Sequence, residues 1–563
     1  MPFFLDKQQK KETNPNMEES KLSGPIGLWQ DPDFPASKKS IGRDDDNDII
    51  WLRPSEFSSS YVKRSDPLVL FDGEKGSGDL IGSSEETFDD KFFMGALSAI
   101  ASHPDDFVET LFVDDTDEGL DVGRLTVQFY RFGTWIKITI DTLIPCDSKS
   151  RIPIFGRSLR GNEVWVVLLE KAYAKLQGSY ARMCNGNTTI EDVLVELTGG
   201  TCRRVSMEQK KSIKKGNDDD EEEEDDDEKK ESRLSEIWDT ISRHVESDSV
   251  VSCTKKSSSD SSEKSLFESS PDEVVGDELL GNRTYSVIYV KEIEDRRFLK
   301  IRNPYPKASW KGDWSASSEM WDEYPETTQA MIDDEYCEFS REEDDGTFWI
   351  LLDDFAEIFQ DLHILRVYSS EYNQYLIKGE WDGKSAAGSQ ELNVDISGSR
   401  KQLLSRTCPA ENHVGWCKWI DGDSTWFNNP QYRIRVLKSS SSSSSSSSST
   451  PQDEKIDEEK EDETRTTTTT NLVVSLLQYQ QDEDKTNTPI STNFVIVKRD
   501  RKWSTRIWEL HSRDIVQEVV ASIPPRREIS LDSVSLSPDY SYYIIPFTTQ
   551  KSVRLFLFFF FHS

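Results

Sequence analysis

The sequence is poor in the residues that usually announce a reaction centre. It has 6 histidines and 7 cysteines in 563 residues. The cysteines, Cys146, Cys184, Cys202, Cys253, Cys337, Cys408 and Cys417, are scattered, odd in number and never spaced as CxxC. This excludes a disulfide framework and a structural zinc site, and it suits a reducing compartment. No cysteine occurs between Met1 and Thr142, and no glutamine between Gln30 and Gln128. Cations are also in short supply: 68 Lys and Arg against 104 Asp and Glu, a formal net charge of −36. Phosphate recognition needs clustered cations, so general nucleic-acid binding is excluded, whereas cations or basic protein surfaces could be attracted. Long apolar runs are missing as well. The N-terminal MPFFLDKQQK has too short an apolar run for a signal peptide, and LFLFFFF near the end is about a third of the ~20 residues a membrane helix needs. The latter reads as a buried strand. No transmembrane segment and a cytoplasmic location are expected.

What is present argues for folded domains. The 15 Trp, 17 Tyr and 27 Phe need buried sites, and the length predicts roughly three or four cores. Three segments break the globular pattern: the stretch before Gly24, the region from about Arg203 to Glu278 with its unbroken acidic run Asp218 to Glu228, and the serine run Ser439 to Ser449 with the mixed charge and Thr466 to Thr470 behind it. Such composition buries too little apolar area to offset ordering entropy, so all three read as disordered. A phosphorylation tract, a calcium-attracting strip or a hinge are functional readings of them; a solvated surface insertion is the plain one.

Between these segments periodicity marks the elements. Phe88 to Ser102 reads as a buried helix, apolar nearly all round, with Asp89 and Asp90 able to cap it. Leu125, Val127 and Phe129 alternate, as do Ile136, Ile138 and Ile140, about a turn at Gly133: a β-hairpin. Val164 to Leu176 is a second helix, and TYSVIYVKEI and FLKIRN read as paired strands. From Tyr372 onward short strands dominate, which predicts a β-sandwich.

Several motifs resemble one family, the calpains. LWQDPDFPAS and IIWLRPSEF resemble the entry to the calpain protease core, RFGTWIKITIDTLIP its hairpin, and GNEVWVVLLEKAYAKLQGSY its helix motif, with the Glu-Lys-Ala-Tyr-Ala-Lys run at 170–175 the most specific. ELTGG resembles the close of the first lobe; TYSVIYV, LKIRNPY, WKGDWSASSEMW and DDGTFWILLDDF resemble the second. GEWDGKSAAGS, WFNNPQYRIRV, NLVVSLLQ and SPDYSYYIIPF are similar to the calpain sandwich. The resemblance implies an α+β fold: a papain-like two-lobed protease core followed by an antiparallel β-sandwich. The expected boundaries are a disordered terminus over 1–23, lobe 1 over 24–202, a disordered acidic Ser/Lys-rich insert over 203–278, lobe 2 over 279–368, and a sandwich over 369–563 interrupted by a low-complexity loop at 438–470. No EF-hand pattern follows the sandwich, so the chain resembles the atypical members.

The resemblance also locates a catalytic site. A papain-type protease needs a thiolate, a histidine that activates it, an asparagine that orients the histidine and an oxyanion glutamine. The family's Gly-Asp-Cys-Trp-Phe-Leu stretch matches Asp89-Asp90-Lys91-Phe92-Phe93-Met94, so Lys91 stands at the nucleophile position. Gly-His-Ala-Tyr-Ser-Val matches Asn282 to Val287, so Arg283 stands at the base position. Asn303 retains the asparagine, and Glu85 falls where the oxyanion glutamine should lie. A protonated amine is no nucleophile, and an amine that did attack would leave a stable amide; a guanidinium is no base, and a carboxylate repels an oxyanion. The implied function is a calpain-like pseudoprotease, resembling the non-catalytic branch that has lysine at this position: a binding or regulatory protein, cytoskeletal or competing with active calpains. The alternative is the family activity, a calcium-dependent cysteine endopeptidase. Lys91 and Arg283 would face each other across the cleft near Glu85, Asp89 and Asp90, either as an ion-pair cluster locking the lobes or as solvated side chains. Trp310 and Trp314 read as core. Asp382, Asp421 and Asp423 could hold calcium or lipid headgroups in the sandwich, or be ordinary solvated loop residues. Protein partners or substrates are expected, with the cytoskeleton and phospholipid as further candidates.

Overall fold

A computed structural model describes the chain apart from residues 1–26, 44–47, 72–79, 82–89, 104–105, 114–115, 159, 186–187, 208–222, 248, 256–278, 282, 305–309, 342–345, 369–371, 382–428, 437–469, 479–491, 504, 509–511, 520–527, 549–552 and 563. The expected disordered terminus at 1–23 and the low-complexity loop lie outside the described residues, except that Thr470 opens a strand. The chain divides into two compact units, Met1–Val367 and Tyr368–Ser563.

The first part of unit 1 is helical around one hairpin. Strands Arg124–Arg131 and Thr134–Asp141 pair with Leu125 opposite Ile140, Val127 opposite Ile138 and Phe129 opposite Ile136. Their two-residue turn has both central residues left-handed, Phe132 at φ 50° and Gly133 at φ 81°. That twist matches the strands, and glycine carries the second position without strain. The expected second helix runs Trp165–Gln177 and ends on Gly178 at φ 98°. A third, Ile190–Thr198, opens with a reciprocal cap: the Asp192 amide donates to Thr189 Oγ1 at 3.3 Å and the Thr189 amide donates to Asp192 Oδ2 at 3.1 Å.

The family-like 170–175 run accounts for how these pieces hold. Lys171 pairs with Asp141 at the hairpin's end and donates to Leu143 O at 2.6 Å. Tyr173 Oη donates to Glu196 Oε2 at 2.7 Å, and Glu196 also meets Arg131 at 3.2 Å. Lys175 Nζ reaches Asp31 at 2.7 Å, and the Asp31 amide donates to Asp141 Oδ2 at 2.7 Å. Lys171 and Lys175 on one side of the helix tie it to the hairpin and the chain entry, and Tyr173 on the other side ties it to the next helix, through buried polar contacts.

The second part of unit 1 is a six-stranded antiparallel sheet in the order Thr347–Leu351, Arg296–Arg302, Arg283–Ile293, Val250–Lys255, Phe359–Arg366, Thr201–Ser206. The expected 203–278 insert needs correction here. Arg203 to Ser206 and Val250–Lys255 are sheet strands, and Glu223–Glu246 is a 24-residue helix. Leu234, Ile237, Trp238 and Ile241 fall on one helical face and pack on the sheet with Val251, Tyr285, Val287 and Leu362. The acid-rich composition masked this stripe; the remainder, 208–222 and 256–278, lies outside the described residues. Trp310 and Trp314 are buried in the clusters flanking the sheet, as core residues.

Unit 2 is a β-sandwich. One sheet runs Tyr372–Trp381, Val553–His562, Thr470–Gln478, Glu528–Leu536; the other runs Tyr432–Ile434, Tyr540–Thr548, Thr492–Asp500, Ile515–Val519. Leu472, Val474, Leu476 and Leu536 from the first meet Phe494, Ile496, Tyr542 and Ile544 from the second in a shared core. The phenylalanine-rich end is a strand, as expected, and occupies an interior position of its sheet.

Candidate functional site

The buried helix expected over Phe88 to Ser102 runs Lys91–Ala101, so Lys91 is its first residue. Asp90 stands at the cap position, but its side chain makes no capping hydrogen bond. Its backbone, at φ −83° and ψ 10°, is not in the extended conformation that aims a cap side chain at the helix amides. Asp89 and Glu85 lie outside the described residues. Lys91 is half-buried, with Nζ 5.3 Å from the centre of the Phe92 ring.

Arg283 is the first residue of strand Arg283–Ile293 and lies opposite Lys255 in the neighbouring strand. Gly95, one helical turn after Lys91, sits directly on Thr284: a Cβ on Gly95 would approach Thr284 Cβ to 2.7 Å. The first turns of the helix and the start of the strand are therefore in van der Waals contact, which brings Lys91 and Arg283 to one end of the same seam. Asn303 follows strand Arg296–Arg302 immediately, and Arg302 pairs with Ser286, so Asn303 lies alongside the start of the Arg283 strand. Its backbone amide donates to Gly346 O at 2.8 Å, one step beyond the Arg302–Thr347 pair, and so extends the ladder between these two strands.

None of the described cysteines, Cys146, Cys184, Cys202, Cys253 and Cys337, is in a disulfide. Burial pushes the Cys146 thiol up to about 12 and the Cys337 thiol up to about 11. Burial also raises the fully enclosed Cys253 well above its ordinary value. Nucleophilic thiols are shifted the other way. Among the described residues no group of three or more His, Cys, Asp or Glu side chains could hold a metal ion. Calcium takes about 6–8 oxygen ligands, carboxylates and backbone carbonyls together, and no such carboxylate cluster stands among the described residues. Asp382, Asp421 and Asp423 lie outside them.

Sequence reasoning missed one constellation. His363, in strand Phe359–Arg366, places Nδ1 3.1 Å from Glu191 Oε1 and Nε2 2.7 Å from Thr254 Oγ1. Thr254 Oγ1 is in turn 3.4 Å from Thr284 Oγ1. Glu191 and His363 are 172 residues apart, and no local spacing signals the pair.

With helix, sheet and cleft-end residues in place, the decisive comparison is the family match. Residues 29–366 match the calpain family cysteine protease domain. The chain belongs to the calpain family. Among its relatives, the calpain-type cysteine protease ADL1 of Oryza sativa subsp. japonica is 26% identical over 416 residues, covering 72% of this chain and 16% of that protein. A calpain of Schistosoma mansoni is 27% identical over 420 residues, covering 73% of this chain and 46% of the other, and human calpain-14 is 25% identical over 398 residues, covering 67% and 50%. The chain thus spans half or less of the length of these relatives. No helix among the described residues of this calpain-family chain is long and apolar enough to cross a membrane.

Proposed function

We propose that the chain is a calpain-shaped pseudoprotease that acts as a binding or regulatory protein. The observation that carries this reading is Lys91 at the head of the buried helix, where the family resemblance expects the attacking thiol. Arg283 at the base position supports it, because a guanidinium offers no basic lone pair. So does the state of Cys146, Cys253 and Cys337, whose thiols burial holds protonated. Removing one member of a nucleophilic triad costs about 10⁴ or more in rate, and here nucleophile and base are both replaced. The partners that suit such a protein are cytoskeletal proteins or the substrates of active calpains, for which it would compete. Phospholipid contact through the sandwich is a further candidate.

The test uses the purified full chain on casein, with calcium and with chelator. The expected result is no cleavage in either case. The Lys91→Cys/Arg283→His double variant should gain cleavage that iodoacetamide blocks. Calcium-dependent, thiol-inhibited cleavage by the parent chain would instead establish the alternative, a calcium-dependent cysteine endopeptidase.

A further inference from the structure

Residues 312–340 carry nine acids and no lysine or arginine. Trp314, Trp321, Met331 and Cys337 from this stretch pack on Phe298 and Trp349 of the six-stranded sheet. Helix Pro325–Ile332 lies within it. At the end of that helix and in the turn behind it, two large apolar side chains stand in solvent. Ile332 is 57% exposed, and Tyr336 is 77% exposed, the most of any large apolar side chain among the described residues. Scattered apolar residues on a surface are ordinary, so exposure alone says little.

What sets this turn apart is how firmly it is held. Asp334 pairs with Lys291 and accepts from Tyr289 Oη at 3.0 Å, both on strand Arg283–Ile293. The same carboxylate accepts from the Tyr336 amide at 3.1 Å, and Asp334 O accepts from the Cys337 amide at 3.1 Å. Lys300, buried on the neighbouring strand, donates from Nζ to Cys337 O at 3.1 Å and to Glu338 O at 3.0 Å. Cys337 itself is fully buried. Glu338 is left-handed at φ 45°, a conformation that residues with a Cβ seldom adopt, and the Lys300 contact holds it there. Two lysines from adjacent strands thus clamp the chain on either side of Tyr336. The ring is presented on a fixed backbone, so little freedom is lost when it is bound. Aromatic side chains held in this way serve as anchors of protein interfaces. The surroundings are acidic throughout. Asp333, Glu335 and Glu338 flank the two apolar side chains in sequence, and Glu335 and Glu338 make no ion pair with another described residue.

We propose that Ile332 and Tyr336 form a docking knob for a basic partner protein, which seats the apolar face of a cationic amphipathic helix on them. The acidic surroundings set the partner's charge, and the two apolar side chains require its stripe. The stripe covers Ile332 and Tyr336 while flanking lysines and arginines reach the carboxylates. This goes beyond the pseudoprotease reading and stands whether or not the chain cleaves peptides. The test titrates the full chain with a helical peptide of about 15 residues, leucine at helical spacing and lysine elsewhere, and with a second peptide that has serine for every leucine. The serine peptide reports general attraction to an acidic chain. The leucine peptide should bind about 10-fold more tightly or better, and Ile332→Ser/Tyr336→Ser should remove that advantage. Glu335→Gln/Glu338→Gln should weaken its binding a few-fold and make the affinity less sensitive to salt. All four side chains are exposed, so the variants should keep the parent's melting temperature. Equal binding of the two peptides by the parent chain, or an undiminished preference for the leucine peptide in Ile332→Ser/Tyr336→Ser, overturns the docking site.

Discussion

Glu170 and Lys171 are neighbours on one helix and both are enclosed, yet only one has a matching charge. Burial raises the Glu170 carboxyl well above its ordinary value, and the nearby Asp90 raises it further. In the unfolded chain the group ionises near 4.5, while in the folded chain it keeps its proton to higher pH. Over that interval the unfolded state binds fewer protons, so stability falls as pH rises. Glu170→Gln removes the titration and leaves a neutral group near Asp90. The expected outcome is a gain on the order of 1 kcal/mol near pH 7 that shrinks toward pH 4, read from urea unfolding at both pH values. The thiols give the alkaline counterpart. Unfolded cysteines lose protons near 9, whereas folded Cys337 and Cys146 hold theirs to about 11 and about 12. Stability is therefore lost progressively above pH 9, and Cys146→Ala should flatten the slope of melting temperature against pH there, whatever it does to the absolute value.

Elements differ in how openly they declare themselves. The hairpin and the Trp165–Gln177 helix were legible because one period, 2 or 3.6, runs through each without interruption. The Glu223–Glu246 helix was not, because eleven consecutive acids ahead of its apolar half dominate any composition window. Its stripe at Leu234, Ile237, Trp238 and Ile241 is helical in spacing and carries the packing. Trp238→Ala should therefore destabilise unit 1 by about 3–5 kcal/mol, as for a core aromatic. Glu231→Gln, on an exposed ion pair with Arg297, should change it by less than about 0.5 kcal/mol. Equal effects of the two in thermal unfolding would mean that the helix is a solvated appendage after all. The candidate site divides the same way. Lys91, Arg283 and Asn303 could be proposed because each lies in a contiguous motif, but the Glu191–His363 contact depends on two elements meeting, which no window of sequence contains.

At the scale of the whole molecule, the sandwich was legible as a class from its alternating strands, but its strand order was not. Strand Tyr372–Trp381 opens unit 2 and pairs along its length with the final strand, Val553–His562, which pairs on its other side with Thr470–Gln478. The first strand of the unit therefore cannot join its sheet until the last has been made, a contact of high sequence separation that forms late. It follows that the phenylalanine-rich end is not a dispensable tail. A chain stopped after Thr548 loses an interior strand, leaves Tyr372–Trp381 without its partner and exposes one edge of Thr470–Gln478. Unpaired edges of this length invite association between chains. The truncated protein should lose the cooperative unfolding transition of unit 2 and become aggregation-prone. Unit 1, which has its own sheet and cores, should keep its transition. Calorimetry of the full and truncated chains checks this, and a truncated chain that keeps the transition of unit 2 would show that the sheet closes without its last strand.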